Sequence, residues 1–220
     1  MKYKVAEKFV SINGEGTHSG QLAVFIRFCG CNLNCSFCDT AWVNEDDAEY
    51  SLMDTEQILS YVMDTGIENV TITGGEPLIQ PGIRELIEEL TRQGMYVEIE
   101  TNGSIPLKEY IDIFPAPSFT LDYKLPGSGM EKSMNTDNFE YVSEKDTVKF
   151  VAGSLDDLDR FREIIDKYNL TEKCNVYLSP VYGRILPADI VEYMKKYRLN
   201  KVNLQLQMHK IIWSPDKRGV

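Results

Sequence analysis

The sequence lacks any apolar run long enough to cross a membrane, since a spanning helix needs roughly 18 or more such residues. Its first nine residues carry three lysines and a glutamate where a signal peptide would have an apolar stretch. We therefore expect a cytoplasmic protein without a membrane partner. No repeat, low-complexity segment or Gly- and Pro-rich linker divides the chain, which predicts a single domain over residues 1–220.

Positive charge is also scarce. The chain has 23 Lys and Arg against 34 Asp and Glu, a formal net charge of -11. Proteins that bind nucleic acid present a basic face that displaces counterions from the phosphates. We therefore expect no nucleic-acid partner, and an anionic small substrate would have to meet individually placed cations.

Cysteines are few but clustered. Four of the five fall within ten residues, unlike the dispersed framework of a secreted disulfide scaffold. Cys31, Cys35 and Cys38 have the spacing C-x3-C-x2-C, and three thiolates on a four-iron cluster leave one iron open for a ligand. A structural zinc site with Cys29 as its fourth ligand is an alternative, as is a set of inert thiols. Cys29 and Cys174 are expected in the core.

Strand and helix patterns alternate along the rest of the chain. Helices are predicted from residue 83 to just before Gly94, from after Ser154 to Tyr168, and over 187–197. Seven segments rich in β-branched and aromatic residues are predicted as strands: 22–28, 69–73, 96–101, 119–123, 147–152, 176–179 and 202–207. This order indicates an α/β protein with a parallel sheet, either a partial barrel or a doubly wound sheet, with its site at the carboxyl ends of the strands.

Two motifs resemble those of the radical SAM superfamily. Phe37 precedes the third cysteine as an aromatic residue does in that superfamily, and segment 71–77 ends in Gly-Gly-Glu-Pro. Glycines at a strand end let backbone atoms approach a ligand closely. The resemblance implies a 4Fe-4S cluster on the three spaced cysteines, S-adenosylmethionine (SAM) as cofactor, and a partial (β/α)6-type barrel with fewer helices than strands.

Segments 9–17 and 20–27, together with Cys38-Asp39-Thr40, resemble the 7-carboxy-7-deazaguanine synthase family. The resemblance implies a lyase that converts 6-carboxy-5,6,7,8-tetrahydropterin to 7-carboxy-7-deazaguanine by ring contraction with loss of ammonia, in queuosine or 7-deazapurine biosynthesis. It further implies Mg²⁺, a homodimer, and an electron donor such as flavodoxin. The alternatives are a glycyl-radical-enzyme activase, which typically has His where Asp39 stands, and a metal-storage or electron-transfer module.

The resemblance also assigns individual residues. Catalytic roles fall to Arg27 and Glu15, and the Mg²⁺ contact falls to Thr40. The expected substrate contacts are Ile12, Asn13, Gly14, Glu15, Arg27, Thr73 and Val220, the last on a C-terminal tail that folds over the site. The expected SAM contacts are Phe37, Cys38, Asp39, Gly75, Glu100, Asp122, Tyr123, Lys124, Ser179 and Pro180.

Several of these residues have a plainer interpretation. Arg27, on an apolar strand, could form an internal ion pair with a Glu. Asn13-Gly14 could be a solvated turn, and Thr40 a helix cap. Glu100 could form a salt bridge at a strand end, and His209, placed on the last strand, could be structural. In the family a serine is commoner than Asp122.

Overall fold

The computed structural model describes residues 1–215 and 217–220. Within that part, nine strands and five α-helices form. In chain order they are β1 Lys2–Ile12, β2 Leu22–Phe28, β3 Ser51–Asp54, α1 Thr55–Thr65, β4 Asn69–Gly74, α2 Ile83–Arg92, β5 Tyr96–Thr101, β6 Ser118–Tyr123, β7 Thr147–Ala152, α3 Leu155–Tyr168, β8 Asn175–Pro180, α4 Pro187–Tyr197, β9 Val202–Leu204 and α5 His209–Ile212. Only 3-10 turns join β5 to β6 and β6 to β7, so the prediction of fewer helices than strands is confirmed.

All nine strands belong to one sheet in the order β3-β1-β2-β4-β5-β6-β7-β8-β9. β1 is antiparallel to both β2 and β3, whereas every pairing from β2 to β9 is parallel. From β4 onward the order follows the sequence without reversal. A doubly wound sheet needs such a reversal, so that alternative is wrong and the partial barrel is confirmed. Right-handed crossovers in one direction place the helices on a single face.

Residues on the parallel strands alternate between two different environments. The outer side chains, such as Ile72, Ile99 and Phe150, are fully buried in the hydrophobic core beneath the helices. The inner side chains are also buried, yet many are polar: Thr71, Thr73, Glu98, Thr120, Lys149 and Ser179. Because successive side chains of a strand point to opposite faces, one apolar and one polar layer result. The polar layer lines the inside of the partial barrel.

The last predicted strand differs most from the sequence pattern. The last strand, β9, is shorter than predicted and ends at Leu204. His209 therefore begins α5 instead of lying on the last strand, which corrects its predicted placement.

Cys29 is buried as expected, and Cys174 packs partly buried against the core. Among the described residues no helix has the length and apolarity needed to span a membrane.

Candidate active site

The loop after β2 brings the three spaced cysteines to one cavity. Gly30 turns the chain with a φ of 90°, and Cys31, Cys35 and Cys38 then line a cavity of about 440 Å³ at the carboxyl ends of the strands. We call it the cysteine cavity. The loop is fixed by a hydrogen bond of 2.9 Å from the Cys31 backbone to Asn44 Oδ1. Cys29 does not line the cavity; its thiol is buried and donates to the Glu49 carbonyl.

The thiol arrangement fits an iron-sulfur cluster. All five cysteines are free. In the described part of the chain no three His, Cys, Asp or Glu side chains converge closely enough to hold a single metal ion. A cubane does not require such convergence, because each thiolate ligates a different iron. Burial raises the pKa of both Cys31 and Cys35, so cluster binding must displace their protons.

The Gly-Gly-Glu-Pro segment packs closely against the cysteine loop. A Cβ on Gly75 would collide with the Gly30 carbonyl oxygen and with the Cys31 side chain, so this position admits only glycine. Glu76 is fully buried and accepts hydrogen bonds from the Thr101 hydroxyl at 2.9 Å and the Asn102 backbone at 2.7 Å. The segment therefore ties the loop after β4 both to the cysteine loop and to the end of β5.

The end of β6 presents an incompletely paired carboxylate to the cysteine cavity. Asp122 Oδ2 lies 2.9 Å from Lys124 Nζ, and both residues line the cavity. Asp122 Oδ1 is buried and has no hydrogen-bond partner among the described residues. Burial works to lower the pKa of Lys124, but Asp122 and Cys35 outweigh it and hold that pKa above its usual value. The free oxygen suits a hydroxyl or ammonium group of a ligand.

Further inside the barrel lies a group of charges that sequence reasoning only partly found. Lys149 of β7 is almost completely buried and forms an ion pair with Glu15 of the loop after β1. Glu100 also lines the cavity, and burial, reinforced by Glu15 and Glu98, raises its pKa to about 8. The missed residues are Lys149, Glu98 and Asn102. Lys149 had a readable signal, a lone cation in an otherwise apolar strand.

Arg27 forms the internal ion pair of the plainer interpretation and also lines the candidate site. Its Nε donates to Glu7 Oε2 at 3.1 Å, the internal ion pair that the sequence left open. Nevertheless, 17% of its side-chain surface remains accessible, and it lines the cysteine cavity. Glu7 balances part of the positive charge of Arg27. The energetic cost of burying the guanidinium is therefore partly offset before any anion binds in the cavity.

A second cavity of about 660 Å³ adjoins the first and is closed by the end of the chain. We call it the tail cavity. Its lining includes Trp213 and Val220 from the tail. The Arg218 guanidinium lies 4.3 Å from the centre of the Trp42 ring, which docks the tail on the cysteine loop. Side chains that line both cavities are Glu15, Arg27, Cys38, Asp39, Thr40, Glu100, Tyr182, His209 and Lys210.

Most of the sequence-predicted residues meet at these two cavities. Of the predicted SAM contacts, Phe37, Cys38, Asp39, Gly75, Glu100, Asp122 and Lys124 line the cysteine cavity, as does Thr73. Ile12, Gly14 and Val220 line the tail cavity. Thr40 lines both cavities and is the N-cap residue of the 3-10 turn Ala41–Asn44, where its hydroxyl makes no cap hydrogen bond.

Four predicted contacts are not side chains of the cavities. Asn13 is buried, accepts from the Glu15 backbone and donates to Glu98, because its side chain folds back to shape the turn. Tyr123 alternates to the outer face and packs on Phe150 in the core. Ser179 and Pro180 are buried on β8, where they pair with Val151 and Ala152 of β7, and neither lines the cysteine cavity. These four side chains therefore lie outside the lining of both cavities, and contact of these residues with a ligand stays a prediction.

The Asp39 carboxylate marks the boundary of the two cavities. About half of its side-chain surface is accessible, and the residue lines both cavities. This partial burial works to raise its pKa, yet Lys210, at 3.6 Å, together with Lys149, His209 and Arg27 lowers it overall. For His209, burial is the largest effect and lowers the pKa.

Comparisons with known proteins agree with this geometry. The sequence model of the radical SAM superfamily matches residues 25–120. A 7-carboxy-7-deazaguanine synthase of Clostridium acetobutylicum is 58% identical over the full length of both chains, and one of Leptospira interrogans is 36% identical over 100% of this chain and 99% of its own. The crystal structure of QueE from Escherichia coli superposes with a TM-score of 0.75 at 24% identity, covering 94% of each chain. The chain belongs to the 7-carboxy-7-deazaguanine synthase family of the radical SAM superfamily.

Proposed function

We propose that this enzyme is a 7-carboxy-7-deazaguanine synthase, a carbon-nitrogen lyase that contracts the ring of 6-carboxy-5,6,7,8-tetrahydropterin with loss of ammonia. The observation that carries the proposal is the junction of the two cavities. One cavity holds the three spaced thiols, and the other is formed by the N-terminal segment and the tail. Residues 1–220 then act as one radical SAM domain with a substrate-binding N-terminal segment and a tail that folds over the site.

Family membership implies a 4Fe-4S cluster and SAM, and the cysteine cavity suits both. Cys31, Cys35 and Cys38 would hold the cluster, while the backbone at Gly75 and the free oxygen of Asp122 would receive the polar groups of SAM. When bound, the reduced cluster and SAM supply a 5'-deoxyadenosyl radical. The protein's own task is to hold the pterin against that radical and to exclude water and other quenchers.

The tail cavity is the proposed pterin site. Arg27 would pair with the substrate carboxylate, because its guanidinium lines the cavity and donates bidentately to such groups. Glu15 would accept hydrogen bonds from the N–H groups of the pterin amino edge. Ile12 and Gly14 would flank the ring, and Val220 would close over it. Thr73 would contact the substrate from the cysteine cavity, where its side chain lies.

We further propose that Mg²⁺ binds at Thr40, where the two cavities meet. Mg²⁺ prefers oxygen ligands and retains water, so the Thr40 hydroxyl and the substrate carboxylate would supply part of its shell. Chelation should then slow ring contraction more than cleavage of SAM in the absence of pterin. Equal slowing of the two reactions would place the ion elsewhere.

The remaining parts of the proposal concern partners and location. A reduced flavodoxin would supply the electron, and two copies of the chain would form a homodimer. The free, clustered thiols favour a reducing compartment, namely the cytoplasm. The pathway would be queuosine or 7-deazapurine biosynthesis.

The activase alternative is not favoured by the family match. The geometry agrees with this, because the tail closes the second cavity to a volume suited to a small molecule.

An anaerobic assay tests the activity directly. Iron-reconstituted, dithionite-reduced protein with SAM and the tetrahydropterin should yield 7-carboxy-7-deazaguanine by mass spectrometry. If 5'-deoxyadenosine appears without that product, the synthase assignment is wrong and the activase becomes the better reading. If neither appears from protein with a loaded cluster, the radical SAM activity itself is refuted.

A further inference from the structure

Lys149 has no role in the proposed function, although it lines the cysteine cavity and is more deeply buried than Lys124. Its side chain is 5% exposed, against 16% for Lys124. Its ammonium group donates to Glu15 Oε1, a contact between residues 134 positions apart in the sequence. Burial of an ammonium group is costly unless an anion pairs with it. The fold therefore brings β7 and the N-terminal loop together around a specific ion pair.

Glu15 is held from two sides. Its backbone N–H donates to Asn13 Oδ1 at 3.0 Å, and the Asn13 amide in turn donates to Glu98 of β5. Its carboxylate is held by Lys149 through Oε1. From no other residue that the structure describes does this carboxylate accept a hydrogen bond, and Glu15 lines both cavities. One oxygen is engaged by the protein, and the other is available to a ligand.

Other ionisable groups lie around Glu15. Glu98 and Glu100 of β5 lie close enough to the Glu15 carboxylate to interact with it. His209 of α5 also lies within interaction range of Glu15. Removal of the Lys149 ammonium would take away the single side-chain donor that the structure shows for the Glu15 carboxylate among the described residues, and the carboxylate would lose its fixed orientation.

We propose that Lys149 is a positioning residue for the substrate, which holds the Glu15 carboxylate turned so that its free oxygen accepts N–H groups from the amino edge of the pterin. Lys149 itself does not touch the pterin. The inference rests on the proposed function, in which Glu15 binds that edge.

The test compares three variants of the cluster-loaded protein. Lys149→Met removes the charge, Lys149→Arg keeps it, and Lys201→Met is a matched control because Lys201 forms an exposed pair with Glu172 at 2.6 Å. The first readout needs no turnover: fluorescence titration with 6-carboxypterin, which carries the same amino edge and carboxylate. The second is the steady-state KM for the tetrahydropterin, measured alongside the KM for SAM.

We expect Lys149→Met to raise both the pterin Kd and the pterin KM by about tenfold or more, the scale of a lost charge-assisted hydrogen bond. The KM for SAM should stay unchanged. Lys149→Arg should recover most of the affinity, and Lys201→Met should match the unmodified protein. The double variant Glu15→Gln with Lys149→Met should bind no more weakly than Lys149→Met alone, because both changes disable one contact.

Wild-type pterin affinity in Lys149→Met, or an equal loss for SAM and pterin, would overturn the proposal. If Lys149→Met fails to fold, Glu15→Gln replaces it, and unweakened pterin binding by that variant would be equally decisive. Failure of the unmodified protein to bind and convert the pterin refutes the proposed function instead, so the two failures are distinguishable.

Discussion

At the scale of single residues, the site depends on buried cations that each pair with a carboxylate distant in the sequence. Arg27 pairs with Glu7 across two adjacent strands, and Lys149 pairs with Glu15 across the barrel. Both cations carry the same sequence signal, one charged residue in an otherwise apolar strand. Sequence reasoning interpreted that signal at Arg27 and passed over it at Lys149, because the family resemblance covered only the first.

The cysteines differ in their expected contribution to iron binding. Cys31, Cys35 and Cys38 line the cysteine cavity, whereas Cys29 is buried on the other side of the loop. We therefore expect Cys35→Ala to abolish the cluster, because two thiolates cannot hold the cubane. Cys29→Ala should bind iron normally, with only a modest loss of stability. Iron content and visible absorbance after anaerobic reconstitution measure both, and iron loss in Cys29→Ala would favour the zinc-like four-cysteine arrangement.

Glu100 should make stability depend on pH. Its pKa is raised from 4.5 to about 8, chiefly by burial. Between these values the folded protein keeps a proton that the unfolded chain has released, so stability falls as the pH rises from about 4.5 to about 8 and falls no further above. We expect Glu100→Gln to remove this loss and to exceed the unmodified protein by roughly 2 kcal/mol or more at about pH 9. At about pH 4 the two should be similar.

Urea unfolding at the two pH values measures this difference. Glu140→Gln, at an exposed carboxylate on a turn, is the control and should change stability little at either pH. A Glu100→Gln effect that is the same at both pH values would show that folding does not raise the pKa of Glu100.

At the scale of elements, the critical contact for the cysteine site joins the loop after β4 to the cysteine loop after β2. Gly75 lies so close to Gly30 and Cys31 that any added Cβ must displace the cysteine loop. We expect Gly75→Ala to lower the free energy of unfolding by a few kcal/mol, as other overpacked sites do, and to reduce iron incorporation. Denaturant unfolding and iron analysis are the measurements.

Gly153→Ala is the matched control for that change. A Cβ at Gly153 would meet its nearest neighbours, Arg184 and Val181, only at 3.4 Å, ordinary contact distance. It should load iron normally. A Gly75→Ala protein with full iron content would show that the two loops can separate without harm to the cysteine site.

The elements that sequence reasoning found and missed differ in their physical origin. The parallel strands and α2 to α4 were predicted, because their buried outer faces have clear periodicity. β1 was missed, because its lysines and glutamates mask a strand that is only half buried. α1 was missed although Asp54 and Gln57 form a capping box and Gly66 ends the helix, signals that the sequence does contain.

The site shows the same division. The strand ends were placed correctly, but a period of two sends Tyr123 outward while Asp122 and Lys124 face the cavity. That alternation was readable, since Phe119 and Leu121 are the apolar residues of the same strand face. The pairing of Asn13 with Glu98 was not readable, because it depends on how far the first loop enters the barrel.

At the scale of the whole molecule, the tail completes a cavity that the barrel alone leaves open. Trp213 and Val220 line the tail cavity, and Arg218 rests on Trp42. We expect deletion of residues 213–220 to raise the KM for the pterin by about tenfold or more while iron content and pterin-independent SAM cleavage persist. Steady-state kinetics measure the first, and 5'-deoxyadenosine formation the second.

A suitable control for the truncation is Phe114→Ala, because this side chain is 91% exposed and lies outside both cavities. It should leave all three quantities unchanged. A truncated protein with an unaltered pterin KM would show that the tail covers the cavity without contributing to binding.

The 134-residue separation of Lys149 from Glu15 also determines the order in which the parts of the site form during synthesis of the chain. A ribosome produces the N-terminal loop early, but the strand that fixes its carboxylate and the tail that closes its cavity emerge much later. The contacts of the cysteine loop with Gly75, by contrast, are available once β4 has been made. In a nascent chain, the ligands for iron are thus assembled well before the contacts that hold the pterin, and competence to receive the substrate arrives only near the end of translation.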